Sequence, residues 1–160
     1  MSEINQQEQN HSEHFVKKNQ KQITAFLVIL VLIVGGYFGY LELYQKPREI
    51  KAADAMFAAQ NYFDQDSSKL VLYGNGTNKG VLYIIKNYSG TKEANLAKYY
   101  AGISYFKIGD LNKCIQYLKD FSTDGKQIQS IAYGTLGDAH ADLKKNTEAL
   151  DYYKKAVANF

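Results

Sequence analysis

The chain of 160 residues allows one modest domain with an appendage, and its formal net charge of +3 leaves acidic and basic residues nearly balanced. It contains no block of Lys and Arg of the kind that follows a nucleic-acid backbone, so nucleic acid is not an expected partner. Cys114 is the single cysteine, which excludes an intrachain disulfide and does not choose between cellular compartments.

The first 22 residues are polar and rich in Gln, Asn and Glu. Such a segment buries too little apolar surface to offset the entropy lost on ordering, so we predict a disordered tail over residues 1 to 22. His11 and His14 are spaced closely enough to share a metal ion, but two ligands on a tail make a poor site. We therefore predict no metal site.

An apolar run follows, with no charged residue between Lys21 and Glu42. The stretch from Ile23 to Leu41 would span roughly 28 Å as a helix, close to the hydrocarbon thickness of a bilayer. Three tyrosines cluster at its far end, where amphipathic rings favour the headgroup level: Tyr37, Tyr40 and Tyr44. The pattern predicts a single transmembrane helix over residues 23 to 44, followed by a linker over residues 45 to 51.

Signal-peptide cleavage is the alternative, because Val34, Gly35 and Gly36 place small residues near a potential cut. The apolar run is longer than the usual core of such signals, and a long polar stretch precedes it, so we favour an anchor. Basic residues flank both ends of the run almost equally, and charge alone does not fix its orientation.

Glycines mark one side of the same run. Gly35 and Gly39 form a G-x-x-x-G pair with Gly36 beside it, a spacing that lets two helix backbones meet closely in lipid. These three residues form a candidate docking face, whose occupant is a channel subunit, a second copy of the chain, or lipid alone.

The remainder of the chain repeats internally. Residues 95 to 129 align with residues 130 to 160 after a shift of 35, and each unit carries two helical patterns. Glycine at the middle of the first helix permits close approach of its neighbour, and small or aromatic residues recur at fixed offsets. We predict that the following residues pack the repeats: Gly102, Tyr105, Cys114, Gly137, Ala149, Tyr153 and Ala156.

These offsets resemble those of the tetratricopeptide repeat. The resemblance implies an all-α fold in which the transmembrane helix precedes a solenoid of helix hairpins. "AADAMFAAQNYF" and "GVLYIIKNYSG" indicate a further, degenerate unit, so residues 52 to 160 would form three repeats. The predicted units are residues 52 to 94, with an insertion at about 64 to 78, then 95 to 129, then 130 to 160.

In that family the first helix of each unit lines a concave groove that selects the ligand. The Lys and Asn of carboxylate-clamping repeats are replaced here by Tyr99 and Ile103, so an extended or helical apolar peptide is the better match. The alternative is that Tyr99 and Phe106 only pack between repeats. The resemblance implies these candidate groove residues: Met56, Gln60, Phe63, Tyr99, Ile103, Phe106, Asp138 and Ala141, with Gly134 at a further groove offset.

Catalytic patterns are not found in the sequence: it has no Gly-rich phosphate loop after a strand, no Cys/His cluster and no nucleophile paired with a base. His140 stands where the repeat carries an aromatic residue, so we predict a packed histidine. We expect no enzyme activity and no cofactor.

A polar tail, one membrane helix and tetratricopeptide units together resemble bacterial ancillary subunits of the Sec translocon. That resemblance implies an inner-membrane protein with a cytoplasmic N-terminus and periplasmic repeats. Its partners would be translocon channel subunits or envelope chaperones, besides the lipid bilayer. Apart from that resemblance, the last repeat would expose Tyr152, Val157 and Phe160 unless a partner, a second copy or a C-terminal extension covers them. Two alternatives compete: a scaffold of another envelope complex for secretion, division or outer-membrane assembly, and a peptide receptor facing the cytoplasm.

Overall fold

The computed structural model describes the backbone of residues 2 to 159 and the side chains of residues 19 to 159. Within that range the chain is helical, and the only β-type pairing described is an isolated bridge between Gly74 and Lys79. The prediction of an all-α fold is confirmed at this level. The chain divides into two compact units, the first ending at Gln45 and the second beginning at Lys46.

The first unit consists of helix α1, Ser2–Tyr40, and a π-helical turn, Leu41–Gln45. The helix therefore includes residues for which the sequence predicts a disordered tail, with Met1 outside the described residues. Gln, Glu and Lys are good helix formers, and extending an existing helix adds one hydrogen bond per residue without the cost of nucleation. The side chains of His11 and His14 lie outside the described set.

The apolar part of α1 is exposed all around its circumference. Phe26, Val31 and Ile33 are 66%, 69% and 64% exposed, and none of the most apolar window is buried in protein. The structure thus contains one helix near the N-terminus that is long and apolar enough to cross a membrane. A signal sequence meets the same criteria of length and apolarity, so an experiment must separate cleavage from anchoring.

The second unit holds seven helices, joined by short turns and loops, within its described residues. They are α2 Lys46–Asp64, α3 Ser68–Tyr73, α4 Val81–Asn87, α5 Lys92–Lys107, α6 Leu111–Lys119, α7 Lys126–Asp142 and α8 Asn146–Asn159.

The predicted linker over residues 45 to 51 is helical instead, because α2 begins at Lys46. Pro47 is the second residue of that helix and closely follows the π-helical turn that ends at Gln45. Arg48 donates hydrogen bonds to the carbonyl oxygens of Asn87 and Ser89, at 3.3 and 3.0 Å, and so ties the start of α2 to the end of α4.

Three turns of the second unit share one backbone geometry. Asp66, Gly109 and Lys144 all have positive φ, at 54°, 82° and 63°, and each follows the end of a long helix. The amide of the next residue donates in each case to the carbonyl five residues before it, and the bonds Ser67–Tyr62, Asp110–Tyr105 and Lys145–His140 are all 2.9 Å long. The same helix-turn-helix hairpin therefore occurs three times, beginning with α2, α5 and α7.

The first hairpin has a standard turn and an interrupted second helix. The sequence places an insertion at about 64 to 78, between the two helices of the first repeat, but α3 begins directly after the short turn at Asp66. Its Val71 and Leu72 are fully buried, so this segment is part of the core. The interruption is the loop after α3. The two ends of this loop lie close together, because a Cβ on Gly80 would approach the carbonyl oxygen of Leu72 to 2.3 Å.

Candidate binding surfaces

In each of the two complete hairpins, α5–α6 and α7–α8, a glycine lies where the two helices approach each other closely. A Cβ on Gly102 would lie 2.4 Å from Cγ of Leu118, and a Cβ on Gly137 would lie 2.4 Å from Cε1 of Tyr153. Leu118 and Tyr153 are themselves 35 residues apart. Equivalent glycines therefore meet equivalent side chains, and a larger residue at either glycine would separate the paired helices.

An aromatic stack recurs at the same period. Tyr105 stacks on Tyr117 with ring centroids 5.5 Å apart, and His140 stacks on Tyr152 at 5.3 Å. The small residues of the second helices are buried: Cys114 is fully buried and Ala149 is 3% exposed. Burial raises the pKa of the Cys114 thiol to about 12, so this side chain is a core residue with little thiolate character. Ala156, near the end of α8, is half-buried.

His140 is buried without a polar contact. The residue is 8% exposed, and in the described part of the chain neither ring nitrogen has a hydrogen-bond partner. Loss of solvation lowers the pKa of the imidazole, a change opposed by the Glu148 carboxylate and reinforced by Lys145 and Lys119. The neutral ring acts as an aromatic packing residue.

The candidate groove residues of the first two hairpins are largely occupied by packing. Met56 and Ile103 are buried at 3% and 9% exposure. Phe63 meets the ring of Tyr100 at 4.8 Å, and Tyr99 meets Phe121 at 5.5 Å. Gln60 and Phe106 are half-buried. These side chains therefore present little free apolar surface to a ligand.

The third hairpin differs, because the equivalent side of α7 is open. Asp138 is exposed, Ala141 is half-buried, and nothing lies within 4 Å of a Cβ built on Gly134. Tyr153 donates a hydrogen bond from its hydroxyl to Asp138 Oδ1 at 2.8 Å, and this bond raises the pKa of the phenol. The carboxylate is thus held in a fixed position at the surface.

Apolar side chains extend this open side across α7 and α8. Ile131 is 51% exposed, Leu150 53% and Val157 78%, and Ile131 and Val157 line an open depression of about 560 Å³ together with Ser130 and Ala156. We call this surface the terminal face, and it consists of Ile131, Gly134, Asp138, Leu150 and Val157.

Gly134 and Asp138 were predicted as groove residues, and Val157 was predicted to be exposed unless something covers it. Ile131 and Leu150 were not predicted. A signal for them exists in the repeat itself. Ile131 and Leu150 are shifted by 35 from Leu96 and Ile115, which are half-buried and pack against the core. An apolar residue at an interface position of the last repeat has no following repeat within the described residues to cover it.

The glycine face predicted on α1 is open in the first unit. No atom lies within 4 Å of a Cβ built on Gly35, Gly36 or Gly39. Tyr40 and Tyr44 pack against each other at 5.3 Å beyond it. The backbone at these glycines is therefore bare along one side of the helix.

Polar chemistry is sparse elsewhere. Among the described residues no group of three or more His, Cys, Asp or Glu side chains is placed to hold a metal ion. An open depression of about 630 Å³ lies where the turn at Asp66 meets the end of α5, and within it Lys107 Nζ contacts Asp66 Oδ1 at 2.5 Å.

Comparison of the chain with protein-family models, with curated proteins and with solved structures gave no match.

Proposed function

We propose that the chain is a membrane-anchored protein–protein interaction module of tetratricopeptide-like hairpins, without catalytic activity. The observation that carries this proposal is the terminal face, an apolar surface on the last described hairpin. Soluble surfaces seldom keep large apolar side chains together unless a partner covers them. The exposed apolar length of α1 supports the anchor.

We further propose that the partner complex is the Sec translocon, with the hairpins on the periplasmic side of a bacterial inner membrane. The support for this step is the order of polar segment, apolar helix and hairpin repeats, which resembles that of ancillary translocon subunits. The role would be to hand emerging substrates to envelope chaperones. Translocon channel subunits would contact α1 at its bare glycines, where helix backbones can approach closely.

Affinity purification of the full chain from solubilised membranes tests both steps. An epitope placed before residue 1 is lost if the apolar run is cleaved as a signal, and is retained by an anchored protein. A tagged fragment of residues 1 to 45 is the matched control, because it separates partners held by α1 from partners held by the hairpins.

Recovery of the channel with the full chain is the expected result. Stable recovery of a different secretion, division or outer-membrane assembly complex would contradict the translocon step and leave the interaction module standing. Purification of the chain alone under several mild detergents would contradict the module itself. Protease digestion of the hairpins in spheroplasts, but not in intact cells, would support the periplasmic orientation.

A further inference from the structure

We propose that the terminal face binds an amphipathic helix of another protein, with a bulky apolar side chain over Gly134 and a basic side chain beside Asp138. This inference rests on the proposed function as an interaction module, and it names the chemistry of the partner segment.

Two sides of α7 are covered by other helices of the chain. Ser130 contacts α8 through a 2.8 Å hydrogen bond to the carbonyl of Ala156, and Gly137 faces the Tyr153 ring. Tyr133 and His140 both contact the Tyr152 ring. Residues one position earlier lie about 100° around the helix. Among them Ala132, Leu136 and Ala139 are buried, and Gln129 accepts a hydrogen bond from the Thr123 amide, so this side faces the preceding hairpin.

Residues one position later, Ile131, Gly134 and Asp138, form the α7 part of the terminal face. Their equivalents on α5, shifted by 35, are Leu96, Tyr99 and Ile103, which are half-buried or buried. Helix α7 packs against both α5 and α6. Within the described residues a following helix thus packs on the α5–α6 hairpin, whereas none packs on the α7–α8 hairpin.

The differences between the two faces state what the partner helix must carry. Gly134 replaces Tyr99 and leaves an open space, which a large apolar side chain of the partner would fill. Asp138 replaces Ile103 and presents a carboxylate fixed by Tyr153, which a Lys or Arg would pair with most strongly. The two positions lie about one turn apart on α7, so the partner's apolar and basic residues should be one turn apart as well.

A second copy of the chain is a poorer match when stacked head to tail. Its α2 would present the side equivalent to the buried side of α7, and the residues at those positions include Lys51, Asp54 and Asn61, all exposed. Polar side chains there would be desolvated against Ile131 and Val157 without partners, at a cost in free energy.

Peptides based on α7 provide a probe, because α7 is the helix that packs on the α5–α6 hairpin. The 17-residue peptide of residues 126 to 142 would carry Gln129→Leu and Ala132→Arg, and its charge control would carry Gln129→Leu and Ala132→Glu. Fluorescence anisotropy would measure binding of each labelled peptide to the full chain in lipid nanodiscs. We expect the Arg peptide to bind about tenfold more tightly than the Glu peptide, since the charge beside Asp138 changes from attractive to repulsive.

Variants of the full chain locate the site. Asp138→Asn should abolish the difference between the two peptides, and Val157→Asp should weaken both by tenfold or more. Phe57→Asp is the matched control, because Phe57 is 68% exposed on α2, outside the terminal face, and its replacement should leave both affinities unchanged.

No binding of the Arg peptide, or equal binding of both peptides to the parent chain, would overturn the proposal. A dimer of the full chain that Val157→Asp dissociates would also overturn it, because the face would then be occupied by a second copy. These outcomes are independent of the co-purification experiment: peptide binding without channel recovery would contradict the translocon step alone, and channel recovery without peptide binding would contradict this inference alone.

Discussion

His140 and Tyr105 occupy the same place in successive hairpins, and only His140 can gain a proton near neutral pH. Burial without hydrogen bonds lowers the pKa of the folded imidazole below the value of about 6.5 expected for the unfolded chain. The unfolded state therefore binds more protons as pH falls through about 6.5, and the folded state loses stability from there downward until the folded pKa is passed.

We expect the free energy of unfolding to decrease between pH 7.5 and pH 5, and His140→Tyr to reduce that decrease. Chemical denaturation of the full chain and of the variant at each pH measures both. Equal pH dependence in the two proteins would mean that His140 is not buried in its neutral form.

Two glycines of α7 lie three residues apart and have opposite surroundings. A Cβ at Gly134 would meet open space, whereas one at Gly137 would meet the Tyr153 ring. Because Tyr153 is 38% exposed, its ring has room to move aside, whereas the Leu118 side chain opposite Gly102 is only 1% exposed and has none.

We therefore expect Gly102→Ala to destabilise the chain by about 1–3 kcal/mol, Gly137→Ala by less, and Gly134→Ala to stabilise it by up to about 1 kcal/mol. Thermal unfolding of the three variants gives the order. A destabilising Gly134→Ala, or a neutral Gly102→Ala, would contradict the described hairpin packing.

At the scale of the element, α3 is a helix that the sequence analysis assigned to an insertion. In the turn before α3 the residue with positive φ is Asp66. Aspartate indicates such a turn less clearly than glycine does at Gly109 in the next hairpin. The Asn75–Gly76 dipeptide, a strong turn signal, lies in the loop that splits the second helix of the first hairpin. The sequence pattern therefore predicted an insertion between the two helices of the first hairpin. In the structure the extra loop lies between α3 and α4, which together form the second helix.

Other elements followed more directly from the sequence. The 35-residue alignment singled out Gly102 and Gly137, because both glycines recur at the same offset in the middle of a helical pattern. The terminal face could not be predicted from the alignment. The groove offsets of a repeat family do not say which helix sides are covered by the next repeat and which stay open, since that depends on contacts between repeats.

Helix α3 should act as core rather than as a loop. We expect Leu72→Ala to cost about 2–5 kcal/mol, because its side chain is fully buried and the cavity would not close completely. Lys69→Ala, one turn earlier and exposed, should stay within about 0.5 kcal/mol of the parent chain. Denaturant unfolding of both variants is the measurement. A Leu72→Ala change as small as that of Lys69→Ala would mean that α3 is a surface loop.

At the scale of the whole molecule, the first unit carries an exposed apolar helix and the second unit carries the terminal face on its last described hairpin. Each surface is costly in water, and under the proposed function lipid would cover α1 and a protein helix would cover the terminal face. The central claim is that the chain is held at a membrane and binds another protein there through the end of its last hairpin.

Photo-crosslinking in native membranes tests this claim most directly, with Val157→p-benzoylphenylalanine as the probe and Asn61→p-benzoylphenylalanine, on exposed polar α2 surface, as the control. We predict one discrete product with a different protein from position 157, none from position 61, and loss of the product when residues 23 to 44 are deleted. The claim would be contradicted by crosslinks from position 157 only to lipid or to a second copy, or by a product that survives the deletion.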